Sequence, residues 1–160
     1  MSLILSNNRV DTLNWKKDFL TELIRRKELE LEKLTESQED RLEDANRIDS
    51  DKRNTIESPQ EEEMEEVEQN ANTLDRASRD LNKFKKISKD TAYNKVSFGA
   101  LVHTNDKYFL IAAPFAEIDY HDKKIFGISE DSPLFQAIKG LEKGDKAKFK
   151  DKDYKIDLVI

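Results

Sequence analysis

The sequence predicts an α+β protein, in which an N-terminal antiparallel α-helical coiled-coil hairpin is followed by a small antiparallel sheet with one packed helix. Two observations lead to this prediction. Apolar residues recur at threes, fours and sevens over residues 10–48, which indicates a helix, and after position 89 they follow a period of two or form short runs, which indicates strands. We therefore expect a helical hairpin over residues 1–90, with its turn near 49–59, and a sheet domain over 91–160.

The first predicted helix has charged residues between its apolar positions and contains no Gly or Pro. Such a pattern is typical of an amphipathic helix that pairs with another helix. Its seam is formed by Leu13, Leu20, Ile24, Leu31, Leu34, Leu42, Ala45 and Ile48.

The second predicted helix starts after Ser58 and Pro59, a cap residue followed by a proline suited to a first turn. Small residues at Ala71 and Ser78 would allow close approach of a partner helix. The complete seam is Met64, Val67, Ala71, Leu74, Ser78, Leu81 and Phe84 or Lys85. The polar stretch between the helices favours a fold-back within one monomeric chain, although pairing with the helices of a second chain stays open.

The second half contains six short runs rich in Val, Ile, Phe and Tyr, separated by the turn sequences NDK, HDKK and DKD. Between the fourth and fifth runs, Ser132 and Pro133 can start a helix that Gly140 and Gly144 end. We expect this helix to bury an apolar face against the sheet and the opposite face of the sheet to be partly exposed to water. The apolar face is formed by Leu134, Phe135, Ile138 and Leu141.

Composition excludes several classes of protein. The chain has no cysteine, which excludes a disulfide scaffold and thiol chemistry, and no apolar run of the length needed to cross a bilayer. A cytoplasmic location without membrane contact is the expectation. Residues 1–84 have 14 basic and 22 acidic residues, a net charge of −8, and residues 85–160 have 14 and 12, a net charge of +2. Sequence-specific DNA binding is not expected, since the first half lacks a basic stripe.

The run SPLFQAIKGLEKGD, preceded by the FGALV and GIS strands and followed by YKIDLVI, resembles the carboxy-terminal, FKBP-like domain of the Gre transcript-elongation factors. In that family a long antiparallel coiled coil comes first, so the resemblance covers nearly the whole chain. It implies a globular domain that docks at the rim of the secondary channel of bacterial RNA polymerase. The candidate docking residues are Ser132, Pro133, Gly140, Lys143, Gly144 and Asp145.

The resemblance also implies that acidic residues at the tip of the coiled coil help to hold a magnesium ion at the active site of the polymerase, so that the chain needs no cofactor of its own. Carboxylate oxygens are suitable ligands for magnesium. The chain departs from the family here, because the usual GD-L-x-EN type of tip motif is absent, and the nearest acids are Asp49, Asp51 and Glu57. We expect a polymerase-binding regulator, with stimulation of transcript cleavage as a narrower version of that hypothesis.

Two other functions stay open at this stage. The chain could be a structural protein that dimerises through its helices, or a peptidyl-prolyl isomerase with an apolar pocket built from Phe109, Phe115, Tyr120, Phe126 and Phe135. Those rings are needed for a core in so small a domain, so no catalytic activity is expected. His103 and His121 are not spaced as zinc ligands and are expected at the surface, so no metal site is predicted.

Overall fold

The computed structural model describes residues 9–51 and 60–160, with side chains for 9–44 and 65–160. Its class is α+β, as predicted. Two long helices are followed by six strands, with a short helix between the fourth and fifth strands. The elements are α1 (Arg9–Asp51), α2 (Gln60–Lys85), β1 (Leu101–Thr104), β2 (Lys107–Ala112), β3 (Phe115–Tyr120), β4 (Lys123–Ser129), α3 (Pro133–Ile138), β5 (Lys146–Phe149) and β6 (Lys152–Val159).

The two long helices pair within one chain, as the hairpin prediction requires. Residues 25–81 form one compact unit. Inside it, both helices contribute to the lining of a cavity of about 90 Å³, made by Leu34, Ser37, Gln38, Arg41, Asn70 and Thr73. The later residues of α1 thus lie beside the earlier residues of α2, which is the order of an antiparallel pair. The predicted start signals Ser58 and Pro59 lie outside the described residues.

The seam of this pair differs from the predicted one. Ala71 is exposed and Asn70 is half-buried, and further along the helix Ala77 is half-buried beside Ser78. The inward face of α2 therefore uses a polar residue where the apolar pattern favoured Ala71. On α1, Leu42 is also exposed although it was assigned to the seam. An apolar pattern locates a seam poorly where polar residues such as Asn70 share it.

The six strands form one sheet in the order β3-β4-β2-β1-β6-β5. The sheet is mixed, which corrects the prediction of a wholly antiparallel one: β2 and β4 are parallel, with Phe109 opposite Phe126, and the other neighbours are antiparallel. The cause is the order of pairing, because the β3–β4 hairpin joins β2 through its second strand. That strand has the direction of β2, since two reversals restore the original direction.

The three predicted turn sequences each form a two-residue hairpin connection. Asn105 and Asp106 join β1 to β2, and His121 and Asp122 join β3 to β4. In each connection both residues have positive φ, between 48° and 63°, as they do in the Lys150–Asp151 connection between β5 and β6. Two consecutive left-handed residues match the right-handed twist of the flanking strands, and Asn and Asp adopt this conformation at small cost.

Both faces of the sheet are packed over its central strands, but side chains of β3, β5 and β6 are exposed, so the expectation of a partly wet face is confirmed in part. Successive residues of β2 point to opposite sides: Leu110 packs with Phe19 of α1 and Phe84 of α2, whereas Ile111 packs with Ile138 of α3. Among the described residues, one compact unit accordingly consists of the start of α1, the end of α2 and the whole sheet, with 9–24 and 82–160 as its parts. The domain border predicted at 90/91 stays a prediction.

Gly127 lies on β4 directly opposite Phe115 of β3. A Cβ atom at this position would collide with the Phe115 ring and with the carbonyl oxygen of Ala113. The ring is buried and reaches Phe19 of α1 and Phe84 of α2, with centroid separations of 6.5 and 5.8 Å. The missing side chain of Gly127 therefore makes room for an aromatic contact between the sheet and both long helices.

Candidate functional site

The predicted docking residues lie on α3 and on the loop that follows it. The helix ends early, at Ile138, and Gly140 follows with a φ of +78°, a conformation that suits glycine. The Gly140 N–H donates to the carbonyl oxygen of Val96 at 2.9 Å, and the Val96 N–H donates to Leu141 at 2.9 Å. These two bonds fix the loop against the segment that leads into β1.

The second half of the loop is fixed by Gly144 and Asp145. Gly144, with a φ of +96°, donates its N–H to Ile156 of β6 at 2.7 Å. The Asp145 carboxylate accepts the Glu142 N–H at 2.8 Å, and the Asp145 N–H donates to the Glu142 oxygen at 3.0 Å. The carboxylate thus closes the turn by a bond to the backbone, as Asp side chains commonly do.

The structure therefore divides the six docking candidates into two groups. Gly140, Gly144 and Asp145 shape the loop, and their backbone geometry explains the GLEKGD sequence without any partner. At the start of α3, the Ser132 side chain makes no capping bond, contrary to prediction, and its carbonyl oxygen accepts the Gln136 N–H at 3.0 Å. Pro133 and Lys143 are exposed. These two residues and half-buried Ser132 are the candidates left for contact with a partner.

The candidate tip residues are only partly covered by the structure. Asp49 and Asp51 belong to the final turn of α1, which ends at Asp51, and their side chains are among those outside the described residues. Glu57 lies outside the described residues altogether. Their role at the tip stays a prediction.

The aromatic residues proposed for an isomerase pocket do not meet in one place. Phe115 and Tyr120 pack on the side of the sheet that α1 covers. Phe109, Phe126 and Phe135 pack on the opposite side, with α3. The sheet separates the two groups, so these five rings serve two cores and do not line a common pocket.

A buried lysine near the start of α1 was missed by sequence reasoning. Lys16 is 1% exposed, its Nζ donates to the main-chain oxygen of Ile160 at 2.8 Å, and the same atom lies 4.5 Å from the centre of the Tyr93 ring. Burial lowers the pKa of Lys16 to about 7. No signal in the sequence indicates this burial, because lysine is usually exposed.

His103 is also more buried than predicted, because its ring stacks on Tyr108 of β2 with centroids 4.4 Å apart. Burial lowers the pKa of His103, and the Asp157 carboxylate, 3.7 Å from Nδ1, opposes that effect. Burial, with a contribution from Asp157, raises the pKa of Tyr108 to about 12. His121 is exposed in its turn, as expected.

The fold defines the class of protein as an α+β chain with an intrachain helical hairpin and a mixed sheet that has a packed core on both faces. Among the described residues, no helix is both long enough and apolar enough to span a bilayer.

No family model matches this chain, and no curated protein sequence matches it. Solved structures with some likeness are those of GreA factor homolog 1 (Gfh1) from Thermus thermophilus and of Gfh1 from Thermus aquaticus, both 14% identical. The first has a TM-score of 0.33 and covers 90% of this chain and 94% of its own. The second has a TM-score of 0.31 and covers 84% and 92%. Likeness at this level carries no argument about fold or function.

Proposed function

We propose that this chain is a cytoplasmic regulator of transcription of the Gre type, which binds bacterial RNA polymerase and inserts its helical hairpin into the secondary channel. The observation that carries the proposal is the intrachain pairing of α1 and α2, around the cavity between Gln38 and Asn70, in a chain whose second part is a sheet with the α3 loop. The resemblance of the SPLFQAIKGLEKGD run implies a helical hairpin followed by a sheet domain, and this chain has both parts in that order.

The length and the charged surface of the helical hairpin suit insertion into a channel. From Arg25 to Asp51, α1 continues without Gly or Pro, and at about 1.5 Å of rise per residue this segment is roughly 40 Å long. Its exposed surface is mostly charged, with Leu29 and Leu42 also exposed. Asp49, Asp51 and Glu57 are the carboxylates proposed to come nearest to the magnesium ion of the polymerase.

The proposed docking surface is the start of α3 with the following loop. Gly140, Gly144 and Asp145 hold the shape of the loop, while Pro133 and Lys143 are exposed for contact, with Ser132 beside them. In this proposal the chain has no catalytic activity of its own, because the chemistry belongs to the polymerase.

Binding is tested by capture of purified core RNA polymerase on the immobilised chain. Lys143→Glu is expected to weaken capture at least tenfold, because it places a negative charge in the docking surface. Lys86→Glu, an exposed lysine at the end of α2, is the matched control and should bind like the unmodified chain. No capture by the unmodified chain would refute the proposal.

The role of the tip is tested in a backtracked elongation complex. If the chain stimulates cleavage, it shortens the RNA, and the triple variant Asp49→Ala, Asp51→Ala, Glu57→Ala loses that activity while it still binds. The control triple, Glu36→Ala, Glu39→Ala, Asp40→Ala, removes the same charge from exposed positions of α1 and should keep it. A chain that binds without shortening RNA supports a regulator that occupies the channel.

The alternative of a dimerising structural protein has a separate test. A solution mass of one chain is expected, since α1 and α2 already satisfy each other within the chain. A stable dimer combined with no polymerase binding would favour the alternative.

A further inference from the structure

The β5–β6 hairpin has a surface on which lysines outnumber acidic residues. Lys146 on β5 lies directly opposite Lys155 on β6, and Lys148, two residues along β5, is on the same face. All three are exposed. Together with Asn105, Ala147, Asp153 and Tyr154 they line a groove of about 550 Å³. We call these three lysines, with Asn105 and Asp153, the lysine face.

Protection of a sheet edge does not explain the lysine face. Lysines on an edge strand such as β5 discourage pairing with another chain. Lys155, however, is on β6, which is not the outermost strand: it pairs with β5 at this position and with β1 from Ile156 onward. Like charges placed directly opposite each other in a sheet are destabilising, so the pairing of Lys146 with Lys155 costs stability in the free protein.

The other edge of the same sheet shows a balanced arrangement. There Lys124 of β4 lies opposite Asp119 of β3, and its Nζ is 3.0 Å from a carboxylate oxygen of Glu117. In the lysine face Asp153 lies opposite Lys148, and no acid lies opposite Lys146 or Lys155. The two edges therefore differ in how their positive charge is compensated.

We propose that the lysine face binds the phosphate backbone of a single-stranded nucleic acid without sequence preference. Amines and amides are the groups that contact phosphates, and regularly spaced charges suit a regularly charged polymer. An acidic protein is the poorer fit, because lysine is depleted in the centres of protein interfaces.

The size of the lysine face favours a flexible strand over a duplex. Four residues of β5 extend over about 14 Å, which is enough for two or three phosphates. The backbone of a single strand can adjust to this short, twisted surface. A duplex, with a persistence length of about 50 nm, is effectively straight over this length and cannot follow the twist. The net charge of −6 on the chain does not oppose local binding, because charges more than about 10 Å away are largely screened at 0.1 M salt. This inference is independent of any contact with RNA polymerase.

The test is fluorescence anisotropy of a labelled 20-nucleotide oligouridine with the full chain over 20–200 mM salt. Neutralisation of three phosphates predicts a slope of about −2 in a plot of log affinity against log salt. Lys146→Gln with Lys155→Gln should reduce the steepness of that slope by about 1.4 and weaken binding at 50 mM salt at least tenfold. The matched control, Lys123→Gln with Lys124→Gln, removes the same charge from the other edge and should bind within twofold of the unmodified chain.

Four outcomes would overturn the proposal: no binding at 50 mM salt, equal losses in both double variants, tighter binding of a duplex of the same length, or equal competition by polyglutamate of the same charge. The thermal midpoint of the Lys146→Gln, Lys155→Gln variant provides a second measurement. It should equal or exceed that of the unmodified chain, because a repulsive pair has been removed. A lower midpoint would show that the two lysines have a structural role.

Discussion

The sheet unit and the helical unit are stabilised in different ways. The sheet unit contains nearly all the buried apolar side chains, including Trp15, Leu110 and Ile138, whereas in the described part of the helical unit only Leu81 is buried. The helical unit instead has a half-buried seam and many exposed charges. Hydrophobic burial therefore stabilises the sheet unit, and helix propensity with a shallow seam stabilises the other, which we expect to open more readily.

The largest difference should appear with core truncation. Ile138→Ala removes a fully buried side chain under α3 and should lower the free energy of unfolding by about 2 to 5 kcal/mol. Leu42→Ala, at a 43% exposed position of α1, should change it by less than about 0.5 kcal/mol. Urea unfolding followed by the fluorescence of Trp15, which is in the core of the sheet unit, measures the first effect. A loss under about 1 kcal/mol for Ile138→Ala would contradict the assigned core.

The second prediction concerns Lys16, a lysine that is buried inside the sheet unit. Its pKa is about 7 in the folded chain and 10.5 when unfolded, so between these values the unfolded state binds more protons and stability rises with pH. Below pH 7 the burial cost is present in full. Lys16→Met should therefore be more stable at pH 6, by an amount on the order of 5 kcal/mol, and its stability should rise less from pH 7 to 10.5.

The main-chain oxygen of Ile160 keeps a partner in this variant, because it also accepts the Leu101 N–H at 2.7 Å. Urea unfolding at a series of pH values provides the comparison. Parallel stability curves for the two proteins would show that Lys16 does not titrate in this range.

The smallest effect should be found in the seam of the helical unit. Ala77→Glu introduces a charge at a half-buried position of α2 and should cost about 1 kcal/mol, whereas Ala71→Glu is at an exposed position and should cost less than about 0.5 kcal/mol. Loss of helical circular dichroism in urea measures both. Equal effects of the two substitutions would place the seam elsewhere on α2.

Elements governed by local sequence were predictable in this chain. Both long helices follow from uninterrupted helical periodicity, and all six strands follow from short apolar runs bounded by turn residues such as Asn105–Asp106. The structural role of the GLEKGD loop needed the fold, because Gly140 and Gly144 donate to residues of distant segments, Val96 and Ile156.

Features decided by tertiary packing were not predictable. The direction of β4 relative to β2 depends on which strand of a hairpin joins the sheet. Lysine is usually exposed, so only the position of α1 on the sheet reveals that Lys16 is buried. The same contact covers the central part of the second face of the sheet. The place of Asn70 in the seam of α2 was not predicted, because the prediction used apolar positions only.

Gly127 bears on how the sheet reaches a single alignment. A strand displaced by one residue turns all its side chains to the opposite face. If β3 slipped by one position along β4, the Phe115 ring would face Ile128 or Phe126 in place of the bare backbone of Gly127. The missing side chain of Gly127 thus leaves space for the Phe115 ring in one alignment only. This disfavours misaligned pairings of β3 with β4.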